Sequence, residues 1–216
     1  MKFIALACLV CLALLTFSVA GESPKHEFPM VIEGVKCQVT PYKPTAPIIL
    51  DPLVAEDFRP KSQLILAILL TQSDISSHLS DEELIKFSGG EFDKGALEQH
   101  RSRMKEMYAL TGPAAADNPW KGMKYAVEQT FLVESERGKF LVYQLSTHGA
   151  KDISGKLSGS IKNIDGTWMI GGEKSEDAQK FQGAMVQFVP QEFDKLNQAS
   201  SIESLPLENL FKRVVP

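Results

Sequence analysis

The sequence predicts an α+β domain, a curved antiparallel meander of about four strands covered by the helices that precede it. Three observations predict it. Between residues 124 and 171 apolar side chains either alternate or run on without a break, as in half-buried and fully buried strands. Two reversals, Glu136-Arg137-Gly138 and Asp165-Gly166, divide that stretch, and Asp-Gly accepts the positive φ of a type I′ turn. Segments on either side keep helical spacing instead.

The first 20 residues read as a secretory signal peptide. Lys2 opens it, Phe3 to Phe17 is almost wholly apolar, and Ser18 and Ala20 are the small residues before a cut at Gly21. The product is expected to be exported, either periplasmic or secreted. No Asn-x-Ser/Thr sequon occurs, which favours a bacterial periplasm. Residues 21–59 form an arm carrying six prolines, from Pro24 to Pro52, with Pro60 directly after it, a density that excludes long helices. Val31, Ile32, Val35, Ile48, Ile49 and Leu50 give it apolar anchors, so it is read as an extended wrapping segment. Met30–Thr40 and Ile48–Leu50 are then short pieces on a sheet edge.

The α+β domain is placed at 60–174. Leu64 to Leu70 is apolar throughout, and good helix formers with Pro60 at the start assign it to a helix over 61–72. Ser80-Asp81-Glu82-Glu83 is a capping box opening a short helix that Gly89-Gly90 ends. From Asp93 to Leu110 a longer helix presents Leu97, His100, Met104, Met107 and Tyr108 as one stripe, until Gly112-Pro113 stops it. Ala114 to Pro119 is read as the loop leading into the meander.

The strands are assigned to 124–134, 139–147, 156–164 and 167–171. In the first, Tyr125, Val127, Phe131 and Val133 are expected to share one face, with Glu128, Thr130 and Glu134 on the other. The second, Phe140 to Leu145, is apolar enough to be covered on both sides. Residues 175–216 form a helical extension. Ala178, Phe181, Met185 and Phe188 set a helix over 176–188, and Pro190 opens a separate short one over 191–198. Leu207, Leu210 and Phe211 in the tail are available to dock on the domain or to be left as a recognition segment.

After removal of the leader, 22 basic residues face 27 acidic ones, because only Lys2 is lost from the total of 23. That balance argues against nucleic acid and against an anionic membrane surface, both of which need clustered positive charge. Cys8 and Cys11 leave with the leader, so Cys37 remains alone and no disulfide framework exists. It is read as a small half-buried apolar residue. His26, His78, His100 and His148 have no metal-ligand spacing, so no metal and no cofactor are implied. His148, beside Asp152, is the best single titrating candidate. Nucleophile elbows and phosphate loops are absent, and no residue is assigned a catalytic role.

Helices followed by a meander that ends in Ile161-Lys162-Asn163-Ile164-Asp165-Gly166-Thr167-Trp168-Met169-Ile170 is a familiar order. Together with Trp120–Val133 and Lys139–Ser146 it resembles the NTF2-like (cystatin-like, SnoaL-type) superfamily over about residues 60–172. The resemblance implies a cone, with a helical layer over a bent sheet and a pocket between them. His100, Met104, Tyr108, Trp120, Tyr125, Tyr143 and Trp168 are the residues that would line it. The expected role is an exported, non-enzymatic binding or interaction domain for a small apolar molecule or a protein partner, as a monomer or a homodimer. Some members of the superfamily are ketosteroid-isomerase-like acid–base enzymes. An enzyme of that kind would here use Tyr108 or Tyr125 as donor and Glu128 or Asp152 as base. A third possibility is an assembly component that contacts a partner through its C-terminal tail.

Overall fold

The computed structural model describes residues 25–58, 63–72, 75, 78–89, 93–111, 122–149, 154–170 and 175–214. The leader, the loop at 114–119, Trp120 and Asp152 lie outside them. The chain is α+β, as the sequence predicts, built on an open, mostly antiparallel sheet of eight strands. These are β1 (Phe28–Ile32), β2 (Val35–Lys43), β3 (Ile49–Leu50), β4 (Lys124–Ser135), β5 (Gly138–His148), β6 (Lys156–Ile164), β7 (Thr167–Met169) and β8 (Leu205–Pro206). The main path runs β1-β2-β4-β5-β6-β7, with β3 on β4 and β8 on β2. The helices are α1 (Gln63–Gln72), α2 (Asp81–Phe87), α3 (Lys94–Thr111), α4 (Glu176–Ser200) and α5 (Leu207–Val214).

The expected meander is present, but the sheet is larger than four strands because the proline-rich arm joins it. Its residues form a hairpin through Glu33-Gly34, at φ 47° and 78°, and β2 lies between β1 and β4. The prolines permit this because of where they fall. A two-residue turn makes Ile32 and Val35 a hydrogen-bonded pair, so alternate β1 residues, Pro29 among them, aim their backbone groups away from β2. Pro41 points toward the β1 side beyond Phe28, the residue at which β1 begins. Neither position owes the ladder an N–H.

Strand β4 departs from simple alternation. Val127 pairs with Leu145 and Gln129 with Gln144, so Glu128 is the extra residue of a β-bulge. One inserted residue sends every later side chain to the opposite face. Tyr125 and Val127 therefore join the core beneath α1, whereas Phe131 and Val133 join the core beneath α4. The expectation of one shared face for these four is corrected by that bulge. Strand β5 is covered on both sides as expected: Leu141, Tyr143 and Leu145 face α1, and Phe140 and Val142 face α4.

The Ser80 capping box forms, with the Ser80 hydroxyl taking the Glu83 N–H at 3.2 Å and the Glu83 carboxylate returning to the Ser80 N–H at 2.8 Å. Asp165-Gly166 turns at φ 49° and 82°. Pro190 does not divide α4, which runs unbroken from Glu176 to Ser200. Proline inside a helix costs about 3 kcal/mol. Burial of Met185, Val189, Pro190 and Phe193 against the sheet offsets it. The tail docks: Leu207 and Leu210 are buried in the core beneath α1, and Leu205 pairs with Tyr42. Among the described residues no helix is long and apolar enough to cross a membrane.

Candidate functional site

The space anticipated for a ligand lies between α1 and the sheet. Leu64 to Leu69 are all buried there, because α1 is apolar around its whole circumference and sits inside the core. Its last turn ends over the sheet with carbonyls that have no partner within the helix. Tyr125 Oη donates to the Gln72 carbonyl at 3.2 Å. Thr71 Oγ1 donates to the Ile68 carbonyl at 2.7 Å, which uses its one proton. The Tyr143 hydroxyl, hydrogen-bonded to the same oxygen, must then be the donor in that contact. Gln72 Nε2 completes the chain by donating to Tyr143 Oη at 2.8 Å. Burial pushes the Tyr143 phenol above its ordinary pKa, and the bond it accepts from Gln72 pulls it back in part.

Tyr143 reaches this position across Gly159, its pairing partner on β6. A Cβ on residue 159 would stand 2.2 Å from Tyr143 Oη and 2.6 Å from the ring carbon that bears it. Only glycine leaves that room. Three of the expected lining residues are thereby brought together in one core, Tyr125, Tyr143 and Trp168, with 3%, 1% and 2% of their surface exposed. Trp168 Nε1 is buried and has no hydrogen-bond partner among the described residues. His100, Met104 and Tyr108 are on α3, but their side chains, like Trp120, lie outside the described residues. What is described of α3 is anchored by buried Leu97 and by Arg101, which pairs with Asp81 at 2.7 Å and donates to the Leu79 carbonyl at 2.9 Å. Thr71, Gln72 and Gly159 were not among the expected site residues. A glycine inside a strand is the sequence signal by which the last can be found.

On the other face of the sheet a second polar group assembles. Ser146 Oγ donates to Glu128 Oε1 at 2.5 Å and lies 2.9 Å from His148 Nε2. Because Leu145 and Tyr143 face α1, Ser146 must point the opposite way. Glu128, Ser146 and His148 therefore lie behind the sheet from Tyr125 and Tyr143. His148 closes β5 as an exposed residue. Among the described residues no three His, Cys, Asp or Glu side chains gather as a metal site.

A groove of about 670 Å³ opens at the hairpin end of the sheet, lined by Pro29, Met30, Val31, Lys36, Gln38 and Glu134. Val31 is 65% exposed, more than any other large apolar side chain described. Cys37 also borders this groove, but its thiol is turned into the α4 core, where it donates weakly to the Val35 carbonyl at 3.6 Å. Burial first, and then the Glu136 carboxylate, raise its pKa, which keeps it a thiol.

No family model, curated protein or solved structure matches this chain. The reading of function therefore rests on the geometry above.

Proposed function

We propose that the chain is an exported, non-enzymatic binding domain of NTF2-like type that meets a protein partner at its hairpin groove. The observation that carries this reading is the separation of the acid–base groups by the sheet. An acid–base enzyme needs its carboxylate and its hydroxyl donor at one reacting atom, within about 3 Å of it. Here the hydroxyls of Tyr125 and Tyr143 are engaged at the end of α1, while Glu128 is bonded to Ser146 behind the sheet. The tail's Leu207 and Leu210 are used inside the domain, which moves the contact surface elsewhere. The hairpin groove, with exposed Val31 and the outward backbone groups of β1, is a surface to which an extended segment could add. The NTF2-like assignment rests on the helices-then-meander order and its Asp165-Gly166-Thr167-Trp168 ending, and export rests on the leader.

Three measurements test this. Intact mass of the protein recovered from its own cells should place its first residue at Gly21; a chain beginning at Met1 removes the export claim. A photo-crosslinking residue at position 31 should capture a partner that the same residue at 188, exposed on α4, does not. Equal capture from both positions removes the groove. Turnover of an enolisable ketone by the mature protein, abolished in Tyr143→Phe, would restore the enzyme reading.

A further inference from the structure

A cavity of about 510 Å³ lies at the other end of β2 from the hairpin groove, beside the last turns of α4. The chain builds it by ending that helix sharply. Ser201 takes φ 53° and its N–H caps the Asn197 carbonyl at 3.2 Å, so residues 202–204 leave the helix and line the cavity. The Glu203 N–H, donated to the Lys25 carbonyl at 3.0 Å, pins that link. Strand β8 then pairs with β2, which sets Pro206 beside Lys43. Gln129 enters from β4 and spends both amide protons, one on the Tyr42 carbonyl at 3.0 Å and one on Ser204 Oγ at 2.9 Å. A carbonyl can only accept, so the amide nitrogen is fixed there. Gln129 Oε1 is left as an acceptor that no described residue engages.

Lys43 and Glu203 bring opposite charges to this cavity, yet neither pairs with the other or with any described residue. The Gln129 amide reaches from Tyr42, next to Lys43, to Ser204, next to Glu203, so the cation and the anion stand on either side of it. The last carbonyls of α4 add partial negative charge on the Glu203 side. A zwitterion satisfies both charges at once, whereas an ion of one sign is opposed by one of them. We propose that this cavity binds a free α-amino acid with an apolar side chain. Lys43 takes its carboxylate, and Glu203 with Gln129 Oε1 takes its ammonium. Phe193, Ile202 and Pro206 give the side chain an apolar wall.

Two-dimensional NMR of the mature protein, titrated separately with L-leucine, N-acetyl-L-leucine and L-leucinamide, tests the site. With leucine the amide signals of Ile202, Glu203 and Ser204 should shift and saturate. Acetylation removes the ammonium and amidation removes the carboxylate. Each derivative should therefore bind at least about tenfold more weakly, the loss of one charge-assisted contact. Lys43→Gln should weaken leucine by a similar factor without weakening leucinamide, and Glu203→Gln should weaken leucine without weakening N-acetyl-leucine. Lys36→Gln, in the hairpin groove, should leave leucine binding unchanged. Lys43 and Glu203 are exposed, so both replacements should leave the fold intact, and unchanged amide dispersion elsewhere would report it. The proposal is overturned if leucine shifts none of these signals or if either derivative binds as leucine does. It is equally overturned if either variant binds leucine as the parent does, or weakens the derivative that lacks the matching charge.

Discussion

Beneath α1 the sheet carries hydroxyls among its apolar side chains, whereas beneath α4 it carries aromatic rings. On the α4 side Phe131 meets Phe193 edge to face at 5.4 Å, Phe140 meets Phe181 at 5.7 Å, and Met185 and Val189 fill between them. On the α1 side a directional chain runs from Gln72 through Tyr143 and Thr71 to the Ile68 carbonyl. The difference is one of specificity. Rings and aliphatic groups gain from burial in many arrangements, but a buried hydroxyl must find its partner or be penalised. The α4 side accordingly anchors the helix by area, and the α1 side fixes where the helix must end.

Substitutions can break this comparison at both ends. The largest effect is expected from Phe131→Ala, which empties the centre of the ring cluster and should cost about 3–5 kcal/mol in urea unfolding. A loss below about 1 kcal/mol would mean that the α4 side closes over the cavity. Next is Gly159→Ala. Its Cβ would stand 2.2 Å from Tyr143 Oη, so either the phenol or strand β6 must move. A cost of about 2–3 kcal/mol is expected for such overpacking, and much less once Tyr143 is replaced by leucine. Additive losses in that pair would show that the hydroxyl does not set the helix end.

Tyr143→Phe keeps the ring but removes the link between Gln72 and Thr71, for an expected loss of about 1–3 kcal/mol. It should also change the alkaline limb of stability. The Tyr143 phenol is raised in the fold, so its contribution is complete below the ordinary tyrosine value and is lost as pH rises through the folded one. The variant's alkaline limb should be flatter; identical limbs would remove the burial account.

The smallest effect is expected at Glu208, where α5 is tied to the link after β2. Its carboxyl is held below the ordinary value by its own backbone N–H first and then by the Thr45 hydroxyl, which donates to Oε1 at 2.7 Å. Its contribution is therefore present above the ordinary carboxylate value and is lost as pH falls through the lowered one. Thermal unfolding of Glu208→Gln should show a slightly lower Tm at neutral pH and a slightly flatter acid limb, the difference vanishing as pH falls through the lowered value. A large loss at neutral pH would give the Thr45 contact a bigger part than a half-exposed pair normally has.

Much of the candidate site was legible in pieces. Tyr125, Tyr143 and Trp168 were picked out as aromatic residues on strands, and they do share one core. Their chemistry was not legible, because what the two hydroxyls do depends on Thr71 and Gln72, which are distant in sequence and near only once α1 lies on the sheet. The seating of Arg137 on the Phe181 ring and of Lys162 on the Phe140 ring escaped for the same reason: each cation meets a ring carried by a different element.

The sequence by itself determined the features whose causes lie within a few residues. These are the limits of the first three meander strands to within a residue, the Asp165-Gly166 turn, the Ser80 capping box and the apolar run of α1, all governed by local φ, neighbouring hydrogen bonds and side-chain period; the fourth strand, expected over 167–171, ends at Met169. Only the tertiary structure decided the rest. The bulge at Glu128 exists by reference to β5, the hairpin enters the sheet because β4 accepts β2, and α4 continues through Pro190 because the sheet buries it. Each outcome is set by a partner far along the chain, and burial against that partner outweighs a local preference of a few kcal/mol.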